Sequence, residues 1–167
     1  MNINFWGVVN GTKAFLPHLK ASGNGHVVNV SSVFGLFAQP GMSAYNATKY
    51  AVRGFTEALR QELEMEGGRV SCTSVHPGGI KTNIARNARM GAGVEKITGD
   101  VDKARRDFEK MFRTTPEEAS QTILKGVKGN KRRVLIGSDA RAIDSMQRLM
   151  PTAYQRIMVA GQKMMRK

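Results

Sequence analysis

The stretch from Val27 to Ala51, VVNVSSVFGLFAQPGMSAYNATKYA, decides the fold. Its first residues, Val27, Val28 and Val30, are apolar and β-branched, the pattern of a strand buried on both faces. The pair Ser31–Ser32 ends that run. Gly35, Pro40 and Gly41 then punctuate a loop, and Ser43 to Tyr45 open a helix. Strand, loop and helix in this order are the unit of open parallel α/β sheets, which bind ligands beyond the carboxyl ends of their strands. Ser32 is delivered to that edge. On the helix, Tyr45 and Lys49 stand one turn apart and share a face.

These three groups make chemical sense together. A phenol with an ordinary pKa of about 10 is a poor acid or base at neutral pH, but a nearby cation favours its ionised form. Lys49 is therefore expected to lower the pKa of Tyr45, letting the phenol exchange a proton with a carbonyl or alcohol oxygen. Ser32 can hydrogen-bond the same oxygen as charge develops on it.

N-x-S-S (Asn29 to Ser32) followed by Y-x-x-x-K (Tyr45 to Lys49) resembles the catalytic centre of the short-chain dehydrogenase/reductase family. The resemblance implies an oxidoreductase that uses NAD or NADP and moves hydride between the nicotinamide and a small carbonyl or secondary alcohol substrate. It makes Ser32, Tyr45, Lys49 and Asn4 catalytic. Asn4 comes from the run N-x-N-F-W-G and would hold a water that relays protons from the Lys49 ammonium. A second signature, P-G-x-x-x-T, follows the apolar run Val70 to Val75 and implies cofactor contacts by Pro77, Gly78, Ile80 and Thr82, with Tyr45 and Lys49 also touching the cofactor. His76 is expected to be structural, as is Asn29. Residues 83–113 correspond to the family's variable substrate lid. Relatives pair through the helices read here at 2–20 and 43–66, so a homodimer or homotetramer is the expectation. The alternative is a cofactor-deficient dimerisation or binding module derived from such an enzyme.

The remaining elements follow from local signals. Residues 2–20 read as a helix with Ile3, Val8, Phe15 and Leu19 on its apolar stripe, stopping within Pro17–Gly25. Strands are expected near 26–31, 69–76 and 132–137. Thr115-Pro116-Glu117-Glu118 is a helix start, with Ala119, Ile123, Leu124 and Val127 facing inward. Residues 138–167 read as a Met-rich helical tail packed on its own domain or on a partner. Phe34, Leu36, Phe37 and Met42 wall a substrate pocket or pack in the core. The fold class is thus α/β, the C-terminal part of a Rossmann-type doubly wound parallel sheet, with residues 1–167 as one incomplete domain. No strand followed by a Gly-rich phosphate turn is present. The resemblance covers nearly all of this chain but roughly two-thirds of the family's fold, at ~30 residues per βα unit, so a portion of a longer enzyme is expected.

Composition narrows the partners. The formal charge is +13, and the excess lies in residues 67–167, which hold 21 Lys/Arg against 9 Asp/Glu. No nucleic-acid motif or aromatic interleaving accompanies it, so a solvated basic surface is expected and nucleic acid is not. The single Cys72 rules out an internal disulfide. No apolar run is long enough for a membrane span. These readings point to a cytoplasmic protein, and no metal ligands are expected.

Overall fold

The computed structural model describes residues 1–84, 87–88, 91 and 93–165. The lid expectation at 85, 86, 89, 90 and 92, and the tail expectation at 166–167, lie outside the described residues. The strands are β1 (Gly25–Val30), β2 (Val70–Pro77) and β3 (Arg133–Ile136). The helices are α1 (Gly7–Ala21), α2 (Ser43–Met65), α3 (Glu95–Thr98), α4 (Val101–Lys110), α5 (Pro116–Lys128), α6 (Ser138–Leu149) and α7 (Tyr154–Met165). A π-helical turn at Asn2–Trp6 leads into α1.

The three strands are all parallel, in the order β1-β2-β3, with Val30 opposite Val75 and Val75 opposite Val134. Helices cover both faces, as a doubly wound sheet requires. On one face, Leu16 and Leu19 of α1 and Phe55, Leu59 and Leu63 of α2 close over Val27, Val70 and Cys72. On the other, Ala119 and Ile123 of α5 pack on Val75, Val134 and Ile136. A third cluster joins Val33, Phe34 and Phe37 after β1 to Ala140 of α6 and Tyr154 of α7, with Phe108 of α4 against it.

The strand reading of β1 needs a correction. Val28 and Val30 are 36% and 46% exposed, because β1 is the edge strand and α5 sits over β2 and β3. A β-branched run reports strand propensity, and burial depends on what covers it. The apolar stripe read on the first helix is also displaced. Ile3 and Phe15 are 87% and 66% exposed, whereas Val9 is buried. Likewise Leu124 of α5 is 59% exposed. Pro17 does not end α1, which runs four residues further, to Ala21. Pro17 lacks an N–H and so leaves the Lys13 carbonyl unbonded; both residues are exposed and water can serve that group.

Local signals fix the other ends. Thr115 Oγ1 accepts from the Glu118 N–H at 3.2 Å and Glu118 accepts from the Thr115 N–H at 2.8 Å, a reciprocal cap with Pro116 at the first helical position. Gly67 follows α2 with φ +68°, a left-handed turn that suits glycine.

Asn29 holds three elements together. Its Oδ1 accepts from Thr12 of α1 at 3.5 Å and its Nδ2 donates to Thr56 of α2 at 3.1 Å. All three side chains are buried. Asn29→Ala is expected to cost about 2 kcal/mol, because it leaves two buried hydroxyls short of a partner. Urea unfolding measures this, and a loss below about 0.5 kcal/mol would show the ladder to be dispensable.

Candidate active site

The residues singled out from the sequence gather at the carboxyl edge of the sheet, because β1 and β2 end there. The Ser31 N–H donates to the Val75 carbonyl at 2.8 Å, extending the ladder one residue past β1. Ser32 is extended (φ −172°, ψ 167°) and begins a short 3-10 turn, its Oγ accepting from the Phe34 N–H at 3.2 Å. Gly35 closes that turn against α2. A side chain there would run into Ser31 Oγ and the Lys49 carbonyl oxygen, the latter 2.7 Å from the Cβ position. Ser31 Oγ donates to that same carbonyl at 2.8 Å. The strand end is therefore fastened to α2 at Lys49.

Ser32, Tyr45 and Lys49 come together as a result. The Ser32 hydroxyl stands close enough to the Tyr45 phenol to act on its pKa. Lys49 Nζ lies 5.6 Å from the centre of the Tyr45 ring and donates to the Val30 carbonyl at 3.0 Å. Phe34 meets the Tyr45 ring edge-on, at 5.9 Å between centroids and 76° between planes. Phe108 of α4 stacks on Phe34 at 6.4 Å. Of the loop residues, Phe34, Leu36 and Phe37 are buried in the core with Met42 packed against it, and the Phe34 ring borders that of Tyr45.

The electrostatics differ from the sequence expectation. Burial is the largest influence on Tyr45 and pushes its pKa up; the neighbouring Ser32 hydroxyl works against it. Burial also lowers the pKa of Lys49. The expected lowering of the phenol by Lys49 does not dominate here, because the amine is directed to a backbone carbonyl while the phenol oxygen faces Ser32.

Asn4 approaches this group indirectly. Its Nδ2 donates to Thr48 Oγ1 at 3.4 Å, and Thr48 Oγ1 donates to the Tyr45 carbonyl at 2.7 Å. Asn4 thus stands against the turn of α2 that carries Tyr45 and Lys49, with Thr48 between them.

His76 is fully buried and holds the Ser32 main chain from below. Its Nδ1 lies 2.9 Å from the Ser32 carbonyl oxygen and its Nε2 lies 2.9 Å from Ser74 Oγ. A carbonyl only accepts, so the proton is on Nδ1 and Nε2 accepts from the serine. Burial lowers this imidazole to about 4. The expected structural part is thus specific: His76 fixes the backbone from which Ser32 projects.

The Pro77–Ile80 turn continues β2 beside this group. The Gly78 N–H donates to the Ile136 carbonyl at 2.9 Å, the Gly79 N–H to Asp139 Oδ2 at 2.7 Å, and the Lys81 N–H to the Thr114 carbonyl at 2.9 Å. Pro77 has no N–H. Among the described residues, that leaves the Ile80 N–H as the turn's one unclaimed amide. Thr82 is exposed past the turn, its Oγ1 accepting from the Ile84 N–H at 3.4 Å. Asp139 is a site residue that the sequence reading missed, since an Asp in the first turn of a helix ordinarily serves only that helix. Among the described residues, no group of three or more His, Cys, Asp or Glu side chains could hold a metal ion, and no helix is long and apolar enough to cross a membrane.

A parallel, doubly wound sheet with Ser32, Tyr45 and Lys49 at its carboxyl edge defines a Rossmann-like fold. The chain belongs to the short chain dehydrogenase family, whose model matches residues 1–93. It is 53% identical over 161 residues to the "Putative oxidoreductase SadH" of Mycobacterium tuberculosis, covering 96% of this chain and 57% of that protein. It is 38% identical over 164 residues to "Dehydrogenase/reductase SDR family member 7B" of Xenopus laevis, covering 98% of this chain and 48% of that one. The chain therefore spans about half the length of these curated relatives. Among solved structures, a short chain dehydrogenase from Burkholderia cenocepacia in complex with NADP is similar, with TM-score 0.72, 28% identity and coverage of 93% of this chain and 56% of that one. A relative from Burkholderia phymatum in complex with NAD shares the fold, with TM-score 0.76 at 23% identity over 90% of this chain and 57% of that one.

Proposed function

We propose that this chain carries the catalytic part of an NAD(P)-dependent oxidoreductase that interconverts a small carbonyl compound and its secondary alcohol. The observation that carries the reading is the convergence of the Ser32 hydroxyl on the Tyr45 phenol, with the Lys49 amine 5.6 Å from the centre of the Tyr45 ring. In the reduction direction Tyr45 gives its proton to the substrate oxygen, and Ser32 donates a hydrogen bond that holds that oxygen in place. Lys49 would bond a ribose hydroxyl of a bound cofactor, and Asn4, through Thr48, keeps the turn of α2 in place and would offer an amide to a relay water. A bound nicotinamide supplies the hydride.

The turn fits such a ring. The unclaimed Ile80 N–H is a donor for a carboxamide oxygen, Pro77 and Gly78 present backbone without a long side chain, and the Thr82 hydroxyl is accessible. The α3–α4 segment within 83–113 serves as the substrate lid in this reading, since Phe108 borders Phe34, which in turn borders Tyr45. Exposed Ile3, Trp6 and Phe15 on the first helical segments, together with the exposed small residues Ala47 and Gly54 of α2, suit pairing with a second copy as a homodimer or homotetramer. A cytoplasmic setting goes with this reading.

The test is fluorescence titration of the intact protein with NADH and NADPH, followed by turnover on a panel of aldehydes and ketones. Saturable binding of either dinucleotide and reduction of at least one carbonyl are expected. Neither binding nor turnover would leave the alternative, a cofactor-deficient binding module.

A further inference from the structure

We propose that Asp139 is a positioning residue for the nicotinamide-facing turn, acting on the cofactor through the backbone of Gly79. The inference rests on the cofactor reading of that turn and adds a residue that neither sequence signature contains. Three observations converge on the carboxylate. Its Oδ2 accepts the Gly79 N–H at 2.7 Å, across sixty residues of chain. A side chain at Gly78 would overlap both of its oxygens. A side chain at Gly137 would overlap Oδ1, and Gly137 itself is at φ +97°, a conformation suited to glycine. Two glycines, one before and one after the long α3–α5 excursion, thus clear space for a single carboxylate.

The consequence for the turn follows from counting donors. Gly78 is tied to β3 and Lys81 to Thr114. With Gly79 taken by Asp139, Ile80 alone offers a free N–H among the described residues of the turn. A carboxamide oxygen arriving there meets one fixed donor. Without the carboxylate, Gly79 has a second free N–H and few constraints on its dihedrals, so the turn loses its single presentation. The anion is also well placed in the first turn of α6, where a helix N-terminus favours negative charge.

Three forms of the intact protein test this: the native one, Asp139→Ala and Asp139→Asn. Asn keeps an acceptor of the same shape, whereas Ala removes it. Titrated with NADH and NADPH, Asp139→Ala is expected to bind the preferred dinucleotide about tenfold more weakly. Its kcat at saturating cofactor should stay within about threefold, and Asp139→Asn should recover most of the affinity. Amide hydrogen exchange is the independent readout: the Gly79 N–H should be protected in the native protein and exposed selectively in Asp139→Ala. Unchanged affinity in a folded Asp139→Ala overturns the inference while leaving the cofactor reading intact. If Asp139→Ala does not fold, a Gly79 amide that exchanges at the rate of an unstructured one in the native protein overturns it. A native protein that binds neither dinucleotide defeats the cofactor reading, and this inference falls with it.

Discussion

Replacing Tyr45 by Phe is expected to lower turnover by about a hundred- to ten-thousandfold, the usual worth of a positioned proton donor. The substitution removes one oxygen. The ring keeps its edge contact with Phe34 and its place beside Lys49, so the fold and the affinity for dinucleotide should change by less than about twofold. Steady-state rates and a dinucleotide titration on the same preparation check both halves. Turnover within tenfold of the native value would remove Tyr45 from the chemistry. The pH dependence has a definite sign. Burial holds the phenol protonated above its ordinary range, so the proposed reduction, in which Tyr45 gives the proton, should hold its rate through neutral pH and fail only in alkali beyond the ordinary phenol range. Oxidation needs the phenolate and should climb as pH rises toward that alkaline range.

Removing the His76 imidazole has the largest expected effect on stability. His76→Ala strips a partner from the Ser32 carbonyl and from the Ser74 hydroxyl and opens a cavity under a fully buried side chain, for about 3 kcal/mol at pH 7. The same residue makes the native protein acid-sensitive. Its folded value of about 4 lies below the ordinary value of about 6.5. As pH falls, the unfolded chain takes up this proton first, so stability drops between about pH 6.5 and pH 4. Between pH 7 and pH 5 the loss is about 2 kcal/mol. His26, lowered chiefly by its burial, adds in the same direction. Glu57 and Glu64, whose pKa values are lowered, remain ionised in both states down to pH 5 and so contribute little across that interval. Urea unfolding at the two pH values, native against His76→Ala, isolates the histidine. An equal acid loss in both proteins would show that the proton is taken up elsewhere.

Much of the architecture was legible because it is written locally. The strand positions, the start of α2 at Ser43 and the Thr115 cap depend on neighbours within a few residues, and each lies within two residues of its expected place. The Ser–Tyr–Lys grouping was legible for the same reason: the strand end, turn and helix from Ser32 to Lys49 contain it. What escaped needs distant partners. The exposure of Val28, Val30, Ile3 and Phe15 depends on where other elements lie, and apolar periodicity carries no information about that. Asp139 meets Gly79 only after α3, α4, α5 and β3 have intervened, and nothing in the residues around 139 announces it. The pKa of Tyr45 was misjudged because helical spacing places an amine near a phenol without saying which oxygen the amine bonds.

The seal at Gly35 has a consequence for how such a protein can diversify. With no room for even a methyl group between the strand end and the Lys49 carbonyl, the spacing of Ser32 from Tyr45 is set by a tight joint between β1 and α2. In the proposed reading, substitutions in the α3–α4 segment other than at Phe108, which stacks on Phe34, reshape which molecules are accepted and leave this joint alone. Drift at position 35 has no such latitude: a single added carbon there would detune the chemistry for every substrate at once.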